Sequence, residues 1–257
     1  MDWSSVRLKL EPFEGTAARA LTELEENLKE TFAEEMKKLE LKRVQQFAVN
    51  LTLDTDTAQV NLSVSKDLKQ VHHTDQRKFS DSPQRFVNGN ILTKQSFSSG
   101  RFYFEVQVKD KTMWVFGVAK ESVDRKKSDT LNSKYGYWSI CLESRNVFIN
   151  YNDPCVSLSL KRAPQKVGVF VDYDKGLGLV SFYDADTADL IYSFTDCSFR
   201  EKLFPFLNPT QSADPLSPTA PSISELLSLW IQPNLRHFTR LCSTVCVAVD
   251  GRGSTIN

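Results

Sequence analysis

The chain changes its hydrophobic rhythm once. From Thr16 to about Phe47, Ala, Leu, Glu and Lys dominate and Gly and Pro are missing, which is the composition of a helix. Thr16 is a suitable N-cap. Glu23, Glu25 and Glu26 lie early, and Lys42 and Arg43 lie late, in agreement with the helix dipole. The apolar positions are Ala17, Leu21, Leu24, Leu28, Phe32, Met36 and Leu39, and the step from 17 to 28 to 39 is eleven residues. That period gives a nearly straight or gently right-handed seam. Such a stripe has to be buried, either against another chain or by folding back onto the domain downstream. Residues 1–15 contain Pro12 and Gly15 and read as an extended leader, with Trp3, Val6, Leu8 and Leu10 as possible anchors.

After Phe47 the period becomes two. In "SSGRFYFEVQV", Phe102, Phe104, Val106 and Val108 fall on one side of a strand. Arg101, Tyr103, Glu105 and Gln107 fall on the other, to be covered partly by other segments or by solvent. Similar runs occur at Val60–Val64, Trp114–Val118, Tyr137–Leu142, Val147–Tyr151, Val167–Tyr173, Leu179–Tyr183 and Leu190–Phe194. Short strands without intervening helices predict an all-β sandwich over about 50–209, behind one long N-terminal α-helix. "VNGN" at 87–90 and "DKGLG" at 174–178 carry turn chemistry. The Pro-, Ser- and Thr-rich stretch at 209–222 reads as a linker. Beyond it, "ISELLSLWI" and "TVCVAVDG" are apolar patches long enough for a strand or short helix and too short to span a bilayer.

Charge removes several classes of function. Among 257 residues, 32 Lys and Arg balance 32 Asp and Glu, so nothing steers the chain toward nucleic acid or an anionic membrane. There is no bilayer-spanning run and no signal-peptide core at the start, which points to a cytoplasmic protein. The five cysteines, Cys141, Cys155, Cys197, Cys242 and Cys246, are odd in number and scattered, as expected of reduced thiols. Cys242 and Cys246 have only His237 nearby, so no metal site is predicted. Catalytic chemistry finds no support either. His72 and His73 sit on a polar, loop-like stretch, and there is no nucleophile elbow. Gly176 and Gly178 lie between strands and do not make a nucleotide loop, and Asp172 and Asp174 flank a turn. The chain is not expected to be an enzyme or to hold a cofactor.

Six motifs, in order, resemble the PRY-SPRY domain of tripartite-motif (TRIM) and butyrophilin-like proteins. "LTLDTDTA" (51–58) resembles the opening L-D-P-D-T-A, with Thr55 where proline is usual. "FSSGRFYFEVQV" resembles S-G-R-x-Y-W-E-V, with Phe104 in place of tryptophan. "VFGVAKESVDRK", "GYWSICL", "VGVFVDYDKG" with "LVSFYDADT", and "LIYSFTDCSFREKLFPFLNP" resemble the later blocks. The helix ending "ELKRVQQFAVNLTLD" is similar to the coiled-coil end that precedes this domain in TRIM proteins, notably those of fishes. The resemblance implies a bent antiparallel β-sandwich, with PRY at about 50–99, SPRY at about 100–209 and a divergent tail at 210–257. It also implies a protein-binding module that recruits a target protein or peptide for a ubiquitin ligase in innate immunity. The RING and B-box of that ligase are not in this sequence, and the helix would form a homodimer. An alternative is an assembly chain acting through its helix, with an inert sandwich.

Two departures from the family pattern matter. Two extra residues before Val180 should lengthen a hairpin without disturbing the inside–outside alternation, because a shift of two restores the face. The closing strand, usually A-P-L-x-I-x-P-V, is missing, displaced or supplied by 226–231. Recognition is expected in the loops 72–90, 120–135, 143–155 and 208–222, because a rigid β scaffold carries function there. The candidate contact residues are Glu121, Arg125, Cys141, Glu143, Arg145, Phe148 and Tyr151. Family members often place aromatic anchors near the positions of Cys141 and Glu143, so the ligand of this chain should differ. Trp138, Phe104 and Tyr173 read as core.

Overall fold

A computed structural model describes residues 11–109, 113–127, 131–143, 146–149, 156–174, 177–209, 227–230 and 247–248. A helix, α1 (Glu11–Gln45), leads into the strands β1 (Leu62–Val64), β2 (Gln70–His73), β3 (Ile91–Leu92), β4 (Arg101–Gln107) and β5 (Met113–Lys120). Next come β6 (Tyr137–Glu143), β7 (Asn146–Ile149), β8 (Val156–Ser159), β9 (Lys166–Asp172), β10 (Gly178–Asp184), β11 (Leu190–Cys197) and β12 (Leu203–Asn208). Two further strands, β13 (Leu227–Trp230) and β14 (Val247–Ala248), come from the tail.

The strands make two seven-stranded sheets. The first runs β1-β2-β13-β4-β9-β10-β11, and the second runs β14-β8-β7-β6-β5-β12-β3. Pairing is antiparallel except at β13, which lies parallel to β2 and β4, and at β14, which lies parallel to β8. The closing strand is therefore supplied by Leu227–Trp230, between β2 and β4. Residues 210–226, which include most of the expected linker, lie outside the described residues.

Alternation sorts the side chains into layers. Phe102, Phe104 and Val106 of β4, Val167, Val169 and Val171 of β9, and Val180 and Phe182 of β10 face inward from the first sheet. They meet Trp114, Phe116 and Val118 of β5, Trp138 and Ile140 of β6, and Leu203 and Leu207 of β12. Aromatic stacking joins Phe97 to Phe102 at 3.9 Å and Trp114 to Phe116 at 4.4 Å between ring centroids. Each fully buried aromatic of this kind stabilises the fold by roughly 1.5–3 kcal/mol through area removed from water. The core beside the β9–β10 connection is intact, since Val180 pairs with Val171 and both are fully buried, while residues 175–176 of the connection lie outside the described residues. Tyr173 is half-buried at its edge.

The outer face of the first sheet is covered by the end of α1. Leu41 and Val44 pack with Tyr103, Phe170, Tyr183 and Ala188, and Phe47 joins at the margin. Backbone bonds from Tyr103 N to Phe47 O (2.8 Å) and from Val49 N to Tyr103 O (2.9 Å) tie the helix exit to β4. Polar contacts finish the joint. Tyr103 Oη donates to Glu105 Oε1 at 2.9 Å, and Gln45 Nε2 donates to the same oxygen at 3.0 Å. Lys166 Nζ lies 3.1 Å from Glu105 Oε2, and Lys37 Nζ lies 2.8 Å from Asp189 Oδ1. Burial, reinforced by the Glu105 charge, pushes the Tyr103 phenol well above its usual range. Of the β4 face expected to meet water or covering segments, Tyr103 and Glu105 are buried, while Arg101 is exposed.

Two expectations need correction. The helix begins at Glu11, inside the stretch expected to be extended, because Pro12 falls in the first turn, where a missing N–H costs nothing. His72 and His73 lie at the end of β2 and not in a loop, paired with Ser63 and Leu62. Asp172 closes β9 before the turn and is buried, with Arg101 Nε donating to its Oδ2 at 2.9 Å.

Candidate functional site

The two sheets differ in what covers their outer faces. Among the described residues no α-helix packs over the second sheet. Its outward positions, Val115 and Ala119 of β5, Tyr137 of β6, Phe206 of β12 and Leu92 of β3, form a separate apolar cluster with Phe86, Val123 and Leu131. The last three come from loops, so this small core is roofed by the loops themselves. Tyr137 meets Phe206 edge-on at 5.3 Å. Cys141, paired with Val115, and Phe204, paired with Ala119, pack against opposite corners of the cluster and are only half-buried.

Two of the roofing loops are stitched together. Residues 82–88 lie against 123–127, and Val87 N donates to Arg125 O at 2.9 Å. Arg125 Nη1 donates to Gln84 O at 2.9 Å and to Gln84 Oε1 at 3.1 Å, and its guanidinium lies 5.5 Å from the Phe86 ring centroid. Lys126 Nζ donates to Ser82 O at 2.8 Å, and Asn88 Nδ2 donates to Lys127 O at 3.2 Å. Beneath them, Arg85 is a buried cation solvated by backbone. It donates to Ser80 O at 2.7 Å, to Ala58 O at 3.1 Å and to Thr55 O, and lies 4.6 Å from the Phe79 ring centroid. On the far side, Asn132 caps the short helix Ser133–Tyr135, and Ser139 Oγ donates to Leu131 O at 3.2 Å.

Glu121 is exposed in the turn after β5, where its N donates to Lys202 O at 3.0 Å and its carboxylate lies 3.6 Å from Lys202 Nζ. Arg125 is half-buried between the loops. Cys141 stands in register between Val115 and Phe148, and Glu143 stands in register between Met113 and Asn146. The side chains of Glu143 and Phe148, and Arg145 and Tyr151 altogether, lie outside the described residues. Glu121 and Arg125 follow the end of β5, whereas Cys141 lies across from Val115 near its start, so the structure does not bring these three together; Glu143 and Phe148 lie on strands of the same sheet. Sequence reasoning missed Arg85, Phe86 and Val87. Phe86 had a usable signal, an aromatic within a polar loop, while Val87 stands out only in three dimensions, 47% exposed on the ridge between the loops.

The arrangement offers a loop-built ridge over a small apolar core, with Val87 exposed and charged residues at the margins, suited to a polypeptide surface. Among the described residues no cluster of three or more His, Cys, Asp or Glu side chains could hold a metal, and no helix is long and apolar enough to cross a membrane. Burial pushes the Cys197 thiol up to about 12, so it is inert at neutral pH.

Comparison with known families agrees with the fold. The SPRY domain model matches residues 101–216, and the SPRY-associated domain, PRY, matches 51–97. The chain belongs to the PRY-SPRY family. Its relatives include nuclear factor 7, brain, of Xenopus laevis, which is 43% identical over 161 residues, covering 62% of this chain and 26% of the relative. Human E3 ubiquitin-protein ligase TRIM68 is 41% identical over 169 residues, covering 65% of this chain and 34% of that protein. The chain therefore spans about a quarter to a third of these relatives. The crystal structure of the TRIM65 PSpry domain superposes with a TM-score of 0.57 at 22% identity, over 65% of this chain and 87% of that one, a likeness of fold. The PRY-SPRY unit here is a TRIM-like protein-interaction module. In its terms, the loop 82–88 is contributed by PRY and the loop 123–127 by SPRY.

Proposed function

We propose that the PRY-SPRY sandwich recognises a target protein or peptide on the outer face of its second sheet, and that the chain serves as the substrate-recruiting arm of a TRIM-type E3 ubiquitin ligase. One observation supports the reading: α1 occupies the outer face of the first sheet, while the apolar outer cluster of the second sheet is roofed, among the described residues, by loops, with Val87 exposed on the ridge and Cys141 and Phe204 half-buried at its corners. Glu121, Cys141 and Glu143 are the contact residues in this reading, with Arg145, Phe148 and Tyr151 extending it along the next loop. The relative TRIM68 is named an E3 ubiquitin-protein ligase, and in this reading the ligase chemistry resides in a RING domain, as the TRIM resemblance implies. A cytoplasmic location and a part in ubiquitin-dependent innate immunity follow from the same resemblance.

The test is affinity capture from cell extract with the wild-type chain, Cys141→Arg and Glu121→Lys. Leu190→Lys, on the edge strand β11, serves as the control. Proteins retained by wild type and control but lost by both loop-face variants support the reading. Equal retention by all four chains removes this face as the recognition surface.

A second reading concerns assembly. Leu21, Leu24, Leu28, Phe32, Met36 and Leu39 are 49–69% exposed along α1, although they form the eleven-residue stripe. A helix does not keep such a stripe in water, and a second copy of the chain is the simplest cover, giving a homodimeric coiled coil. Sedimentation of Leu24→Glu/Leu28→Glu, which leaves Leu41 and Val44 in place, checks it. A dimer converted to a monomer supports pairing, and a wild-type monomer at high micromolar concentration refutes it.

A further inference from the structure

We infer that Arg125 is a positioning residue: its guanidinium locks the PRY loop 82–88 to the SPRY loop 123–127, so that the two present one preordered recognition ridge with Val87 at its crest. The significance of the ridge rests on the proposed recognition face, but the lock does not.

The geometry supports a lock more than a contact. Arg125 spends its Nη1 donor on both oxygens of Gln84, at 2.9 and 3.1 Å, and stacks over Phe86. Its own carbonyl accepts from Val87 N, so the residue grips the PRY loop from both main chain and side chain. Bonds from Lys126 to Ser82 and from Asn88 to Lys127 flank it on either side. The lower half of the PRY loop is already immobilised, since Arg85 is buried among three carbonyls and Phe86 N donates to Thr57 O at 3.0 Å. The upper half, from Val87 to Asn88, depends on the SPRY loop. A flexible ridge would lose ordering entropy on binding, and a locked one has lost it already. The PRY segment thereby shapes the surface through the conformation of the SPRY loop, beyond any contact of its own.

Hydrogen exchange read by mass spectrometry on the full chain tests this without any partner. Charge-assisted hydrogen bonds of this kind are worth enough to change local opening on the order of tenfold. Arg125→Ala is expected to speed exchange about tenfold in peptides covering 82–88, with β9 and β10 unchanged. Arg125→Lys, which keeps the cation over Phe86 and one donor, should recover part of the protection. Lys134→Ala, on the same side of the sheet with no bond to the PRY loop, should match wild type. Unchanged exchange at 82–88 in Arg125→Ala overturns the inference. So does acceleration spread equally over β9 and β10, which would make Arg125 a general stabiliser. A locked ridge combined with capture unaffected by Cys141→Arg and Glu121→Lys would refute the recognition face and leave the lock standing.

Discussion

Replacing Glu105 should loosen the helix–sandwich joint by more than its own bonds are worth. Glu105 is 8% exposed, and its carboxylate serves three groups: the Tyr103 hydroxyl at 2.9 Å, the Gln45 amide at 3.0 Å and the Lys166 ammonium at 3.1 Å. In Glu105→Ala the Tyr103 hydroxyl, itself in a residue 1% exposed, is left without its acceptor. An orphaned buried hydroxyl costs about 1–3 kcal/mol, and loss of the half-exposed Gln45 and Lys166 contacts adds about 0.5–1 kcal/mol. The expected loss is about 2–4 kcal/mol, a large part of the 5–15 kcal/mol typical of a domain. Tyr103→Phe removes one donor and leaves Glu105 its other two, so it should cost only about 1 kcal/mol. The double variant has no hydroxyl to orphan. A double-mutant cycle by urea unfolding should therefore show coupling of about 1–2 kcal/mol. Costs that add to within about 0.3 kcal/mol would refute the claim that Glu105 acts chiefly as the acceptor for a buried phenol.

Two further outcomes concern the same joint. Gly168 sits opposite Glu105 on β9, and a Cβ there would collide with the Tyr103 ring, so Gly168→Ala should destabilise by about 2 kcal/mol or more; a midpoint within error of wild type in urea unfolding would show that the ring yields freely. The hydrogen bond from Lys37 holds the Asp189 carboxyl below its usual range, and a depressed carboxylate contributes stability above its unfolded pKa and loses it as pH falls through the folded value. The unfolded value is about 3.9, so helix docking should weaken below about pH 4, by a few tenths of a kcal/mol because both side chains are half-exposed; Asp189→Asn should flatten that part of the stability–pH curve, and a variant as acid-sensitive as wild type would discount the pair.

The sandwich was legible because its strands alternate: Phe102, Phe104 and Val106 announce a buried face whatever lies beyond it, and period two allows one answer. The division of the helix was harder to read. Its stripe ends at Leu39, while the docking residues Leu41, Val44 and Phe47 come at steps of three on another face. A single helix therefore carries two apolar surfaces, one against the sheet and one left exposed, and a single period conceals the second. The visible hint was Tyr103, a large aromatic in the polar half of β4, which needs a cover as much as Phe102 does. The loop ridge left almost no trace. Arg85 and Arg125 are charged residues in polar stretches, the pattern of solvated loops, yet each spends its guanidinium on main-chain oxygens, Arg85 from about residue 55 and Arg125 from 84. Carbonyls are the same at every position, so a bond to one selects no residue type, and no spacing records it. What distinguishes this PRY-SPRY surface from others is thus held in contacts that a linear pattern does not encode, while the scaffold beneath is written in period two. Changes to the ridge can alter what is recognised without touching the strands that make the family visible, and this separation is why the fold was plain and the target was not.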